Sequence, residues 1–246
     1  MIGRDAPHSA HRKIIMLTRT LLPVAVALIA TGSVGAQKSP DLAPYLIADR
    51  ASEVALARSA APKNVSDSAT VLVLTRSGFV EASHGTNGFT CLVLRSFLGS
   101  LDDPTFWSPK VRAPNCYNAP AVRTVLPEIK TRAEWIMAGV DRTEIVSRTK
   151  RAYATHQFPM PAAGSMTYML SREQYLVDAN PHWMPHLMFF YDKSLPGAAF
   201  GAAGMTAPVI DGSIGDSNYP VLTLLIPVRQ WSDGTTAMPA MPATGR

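Results

Sequence analysis

Two histidines four residues apart, His182 and His186, are the residues whose type and spacing point most directly to chemistry. An H-x-x-x-H pair holds zinc when both rings project from one face of a helix. Here Pro181 and Pro185 stand in the way. Proline removes an amide donor and biases the residue before it away from helix, so the segment is expected to be extended. In an extended chain, residues four apart share a face but stand roughly 13 Å apart. Two imidazoles that far apart cannot share a metal at bonds of about 2 Å. Joint ligation would need a bend at Pro185, or help from His84, His156 or a carboxylate. The plainer expectation is that Trp183, Leu187 and Phe189 supply packing while the histidines sit at a strand entrance. The sharper one is that His182, His186, Trp183 and His84 make up the functional site at an accessible cleft. There, imidazoles near neutral pH could act as acid, base or ligand.

Other constellations carry less. The chain has no G-x-S-x-G, and Gly212-Ser213-Ile214-Gly215 does not supply one. Ser147-Arg148-Thr149-Lys150 fits S-x-x-K, and Asp216-Ser217-Asn218 faintly resembles a second β-lactamase element. No K-T-G follows, and Ser147 falls inside an expected helix rather than at its start, so chance accounts for the match. No phosphate loop, dinucleotide fingerprint or CxxC is present, so no cofactor is expected. Spaced thioethers such as Met238 and Met241 are a Cu(I) pattern in exported proteins. Two are too few to argue from, and Met166, Met169 and Met188 sit in strand-like runs where they would fill the core. Phe106, Trp107 and Tyr117 could line a groove, or pack over the end of a sheet.

The leading stretch has its own logic. From Met16 to Ala36 a short basic segment with Arg19 precedes an apolar run from Leu21 to about Ala30. That run is shorter than the roughly 20 residues a membrane-spanning helix needs. Val34-Gly35-Ala36 then places small side chains where a signal peptidase reads, so residues 1–36 are expected to be a signal peptide. The alternative is an uncleaved anchor. Translation starts at Met16, or residues 1–15 are a long basic extension of the leader. No cysteine follows the cleavage site, which argues against a lipid-anchored form.

Cleavage leaves 210 of 246 residues, enough for one domain with a real core. Removing Arg4, Arg12, Lys13, Arg19 and Asp5 takes 23 basic and 18 acidic groups to 19 and 17, a net of +2. No basic run longer than two remains, so nucleic acid is not an expected partner. No later apolar stretch approaches membrane length. Export places Cys91 and Cys116 in an oxidising compartment, where paired thiols usually join. A reactive thiol is the alternative, disfavoured at Cys91 because FTCLVL reads as a buried strand.

The elements that must position these residues follow from pattern. Asp41 to Ala60 predicts a helix capped by Asp41 and stopped by Pro62. Thr70–Thr75, Phe79–Ala82 and Phe89–Leu94 predict three short strands, with glycines between them, in an antiparallel meander. Residues 100–118 read as a proline-punctuated loop holding Cys116. Asn118 to Ala138 predicts a helix capped by Asn118 and kinked or broken at Pro127. Asp141 to Thr155 predicts another, with Arg148, Lys150 and Arg151 on a solvated basic face. Strands are expected at Met166–Leu170, His186–Tyr191 and Val221–Val228, the last a central strand buried on both faces. Residues 193–218 read as a long loop with at most a short helix. Residues 232–246 read as a disordered tail after a single domain over 37–231.

Four stretches, YLIADRASEVALARSAAP (45–62), GTNGFTCLVLRSF (85–97), FW-x-PKVR-x-P-x-CYN-x-PAVR (106–123) and HWMPHLMFF (182–190), resemble a family of exported bacterial proteins with no assigned activity. The resemblance covers most of the chain beyond the leader. It implies export and a shared framework for Cys91 and Cys116, and it supplies no reaction. Chains of that family often carry His where this one has Ser77 and Met184, which counts against chemistry resting on a third histidine here.

The expected architecture is therefore α+β: one mostly antiparallel sheet with helices packed on one face. The expected setting is the periplasm or the extracellular space. The expected role is binding or accessory, with a small molecule or an envelope component as partner. The rival is a hydrolase or metal-dependent enzyme using His182 and His186.

Overall fold

Thr70–Thr75 (β1) and Gly78–Ser83 (β2) form a tight antiparallel hairpin whose partners run from Val71 opposite Ser83 to Thr75 opposite Gly78. The next strand, Thr90–Leu94 (β3), departs from the expected meander. It lies parallel to β1, on the side away from β2. The chain crosses the start of β1 to get there, and Gly85 makes the crossing feasible. A Cβ at that position would stand 2.1 Å from the Thr70 amide nitrogen. In this computed structural model, which describes residues 40–180, 182–213 and 219–237, the sheet has eight strands. The expected leader over residues 1–36 lies outside the described residues.

The remaining strands are Ala113–Tyr117 (β4), Met166–Met169 (β5), His186–Asp192 (β6), Ile210–Asp211 (β7) and Val221–Pro227 (β8). The order is β2-β1-β3-β4-β5-β6-β8-β7, antiparallel at every step except β1 to β3. The fold is α+β, built on a single, mostly antiparallel sheet.

β4 corrects a second expectation. Cys116 is not in a loop pinned to the sheet but in a strand of it, directly opposite Cys91, and the two are joined by a disulfide. Three prolines between residues 100 and 118 masked the strand. Pro114 is tolerated because β5 pairs only with Cys116 and Tyr117, so no neighbour on that side asks Pro114 for a donor. β8 is second from the edge rather than central. It is nonetheless buried on both faces over Val221, Leu222, Leu224 and Leu225.

The helices are Arg50–Arg58 (α1), Lys63–Ser66 (α2), Ala119–Thr124 (α3), Leu126–Met137 (α4) and Arg142–Ala154 (α5). α1 starts later than expected. Asp49 caps it, accepting from the amides of Ala51 and Ser52, while Asp41 does not cap a helix and only accepts from the Ala43 amide at a single 3-10 turn, Ala43–Tyr45. Asn118 and Asp141 cap α3 and α5 as expected. Pro127 sits in the first turn of α4, just past the break at Val125.

Alternation along the strands sorts the core into two layers. Leu72, Leu74, Leu92, Tyr117 and Phe190 pack with Ile129, Ile136 and Ile145 from α4 and α5. Val71, Cys91, Val93 and Cys116 face the other way and pack with Ala57 of α1. Helices therefore gather mainly on one face, as expected, and α1 adds cover on the other. It does so because a sheet interior strand such as β3 is apolar on both sides and needs burial on both. Residues 232–237, expected within a disordered tail, lie against the body. The Ser232 amide donates to the Leu170 carbonyl, and Gln230 bridges Thr236.

Candidate ligand cavity

β6 carries His186, Met188 and Phe190 to the face that also holds α4 and α5. Register places Met169 opposite His186, and Leu225 opposite Met188. The segment after β3 passes over this part of the sheet. Its Ser96, Gly99, Asp103 and Thr105, together with Leu94, Met169, Trp183, Met188 and Leu225, line a cavity of about 350 Å³.

His186 is 1% exposed. Its Nδ1 lies 2.8 Å from the Met184 carbonyl oxygen. A carbonyl only accepts, so in the neutral ring Nδ1 carries the proton and Nε2 keeps a bare lone pair. Burial pushes the imidazole pKa down to about 4, against a smaller opposing effect of the Met184 hydrogen bond. At neutral pH the ring is therefore uncharged. Trp183 packs edge-on against it with centroids 4.7 Å apart, and the Gln174 side-chain amide donates to the Trp183 carbonyl.

The histidines singled out by sequence do not converge. His182 is exposed whereas His186 is buried. His84 follows β2, with a 79% exposed side chain 3.2 Å from Glu81. β2 and β6 are five strand positions apart, roughly 24 Å at 4.8 Å per strand. His156 is exposed just beyond α5, in the left-handed region at φ 58°. Among the described residues no group of three or more His, Cys, Asp or Glu is placed to hold a metal ion. Ser147 lies on an exposed part of α5, with Lys150 and Arg151 exposed alongside. Arg148 pairs with Glu144 at 2.8 Å. Phe106 and Tyr117 are buried, and Trp107 stacks edge-on with Phe106. Met238, Met241, Pro181 and Asp216-Ser217-Asn218 lie outside the described residues.

A second cavity of about 220 Å³ shares Leu94, Gly99, Met188 and Leu225 with the first. Its polar wall is Glu128, Arg132 and Tyr219. Arg132 Nη1 donates to Glu128 Oε1 at 2.9 Å, and Nη2 donates to the carbonyls of Phe97 and Gly99. Tyr219 donates to Glu128 Oε2 at 3.1 Å and accepts from Tyr153 at 3.4 Å. Burial first, and then the Glu128 charge, raise both phenol pKa values, so these hydroxyls stay protonated.

Sequence reasoning passed over this group, although a signal was present. Val125, Ile129 and Ile136 trace an apolar stripe, and Arg132 falls on it. A charge on the buried stripe needs a buried partner, and Glu128 one turn earlier supplies it. The pair Glu53–Arg95 is similarly hidden, at 2.8 Å with both side chains at most 1% exposed. Arg95 also donates to the carbonyls of Tyr45 and Val93, tying the start of the described chain to the end of β3.

The arrangement offers apolar surface with a few fixed polar groups, and among the described residues no nucleophile lies beside a base at the histidine pair. Neither a family model, nor a curated protein, nor a solved structure matches this chain.

Proposed function

We propose that the protein is exported, in keeping with the bacterial family it resembles, and acts as a binding protein of the cell envelope. Its ligand is a small, largely apolar molecule held beside His186. The observation that carries this reading is the cavity of about 350 Å³ walled by Leu94, Met169, Trp183, Met188 and Leu225. Small-molecule sites are concave, mainly apolar and of roughly 300–1,000 Å³, with a few oriented polar groups. Export is supported by the leader pattern and by the Cys91–Cys116 disulfide, since such bonds persist in oxidising compartments. No helix of the described residues is long and apolar enough to cross a membrane. The enzyme reading has less support, because His182 and His186 do not meet in one site.

The test uses the disulfide-intact protein and 1-methylnaphthalene, followed by the probe's own fluorescence. Saturable one-to-one binding is expected in the parent and its loss in Met188→Trp, which fills the shared wall. No saturable binding by folded parent protein refutes the cavity reading. Intact mass of the exported protein should place its first residue at Gln37, and a mature species retaining residues 16–36 would refute the processing.

A further inference from the structure

We infer that the ligand of this cavity carries a hydroxyl or N–H donor on its apolar frame, and that His186 Nε2 receives that donor. This rests on the binding reading above and narrows it to a ligand class.

The geometry begins with the tautomer. Met184 fixes the proton on Nδ1, so the imidazole presents Nε2 as an acceptor. No donor among the described residues reaches Nε2. Among the described residues, three buried side-chain atoms are both sealed from space and unpartnered: Arg132 Nε, Thr149 Oγ1 and Gln174 Oε1. His186 Nε2 is not one of them, and His186 lines the cavity, so its open lone pair is on the cavity side.

Ser96, Arg95 and Thr105 in the same wall are already committed. The Ser96 hydroxyl donates to the carbonyls of Phe106 and Ser108. The Arg95 guanidinium is held by Tyr45, Val93 and Glu53. Asp103 Oδ1 accepts from the amide and hydroxyl of Thr105. A purely apolar occupant would leave Nε2 dry and unpaired, which is costly for a buried acceptor. An occupant with one donor at the right edge satisfies it. Such a site rejects the analogue that lacks the donor more strongly than an apolar pocket rejects one that has it.

The test compares 1-naphthol with 1-methylnaphthalene, which has a methyl in place of the hydroxyl. Binding is read by probe fluorescence, and the imidazole nitrogens by ¹⁵N NMR of the parent at pH 7. In a pocket with no acceptor, 1-methylnaphthalene binds better because the hydroxyl must shed its water. The expected result is a preference for 1-naphthol of about tenfold, one good hydrogen bond. The Nε2 resonance should move toward the hydrogen-bonded position with 1-naphthol alone, and His186→Phe should reverse the preference. Two probes binding equally, with Nε2 unmoved, overturn this inference and leave the cavity reading standing. Neither probe binding overturns both. Stoichiometric Ag(I) moving Nε2 while 1-naphthol does not would replace the donor with a soft metal held by His186 and the Met169 and Met188 thioethers. The ¹⁵N measurement on the parent decides the matter even where His186→Phe fails to fold.

Discussion

Acidification should destabilise this fold through His186, and the size of the effect follows from its surroundings. The ring is 1% exposed and its pKa falls to about 4, against an ordinary 6.5 in the unfolded chain. The charged groups in the same cavity wall are Arg95, already paired with Glu53, and Asp103. Between the two pKa values the unfolded chain binds a proton that the folded chain refuses. Stability from this group is therefore complete above about pH 6.5 and is lost as pH falls toward 4. The full span is about 3 kcal/mol, and at pH 5 about 2 kcal/mol is gone. Urea unfolding of the disulfide-intact protein at pH 7.5, 6.5, 5.5 and 5.0 measures it. His186→Phe, measured over the same range, subtracts the other histidines and the carboxylates. The parent should lose about 2 kcal/mol more than the variant between pH 7.5 and 5.0. Superimposable pH profiles for the two proteins would refute the account of a neutral, buried imidazole, and so would a parent that gains stability relative to the variant on acidification.

The disulfide and the buried ion pair are tested in the same way. Cys91 and Cys116 close a loop with a sequence separation of 25; replacing both with Ala should cost roughly 3 kcal/mol in urea unfolding on the chain-entropy account. Non-reducing peptide mapping of the parent should recover the two cysteines in one linked species, and freely alkylated thiols in native protein would exclude the bond. Glu53→Ala should cost about 4 kcal/mol, because it strands the buried Arg95 guanidinium and removes the acceptor of the Leu74 amide. Lys110→Ala, which breaks the exposed pair with Asp178, should cost under about 1 kcal/mol. Similar costs for the two would mean that the Glu53–Arg95 pair is not desolvated as described.

What the sequence determined by itself is what rests on neighbours along the chain. Asn118 and Asp141 cap their helices because a short acceptor side chain before a helical run can reach amides two or three residues on. Pro127 separates α3 from α4 because its ring and missing donor act within one turn. The apolar β-branched runs became β1, β3 and β8, and the cysteine pair became a bond. The tertiary structure alone decided what depends on distant partners. β3 pairs in parallel with β1 after a crossing that Gly85 admits, a choice of partner invisible within FTCLVL. β4 forms despite Pro114 because only one side of that residue is asked for hydrogen bonds. His182 and His186 part company, one outside and one inside, because β6 begins at His186 and turns that side chain toward Leu94 and Leu225. Those two residues are 131 positions apart in the sequence. The cavity is made of the space between such side chains, and no local pattern encodes a space whose walls meet only after the sheet has assembled.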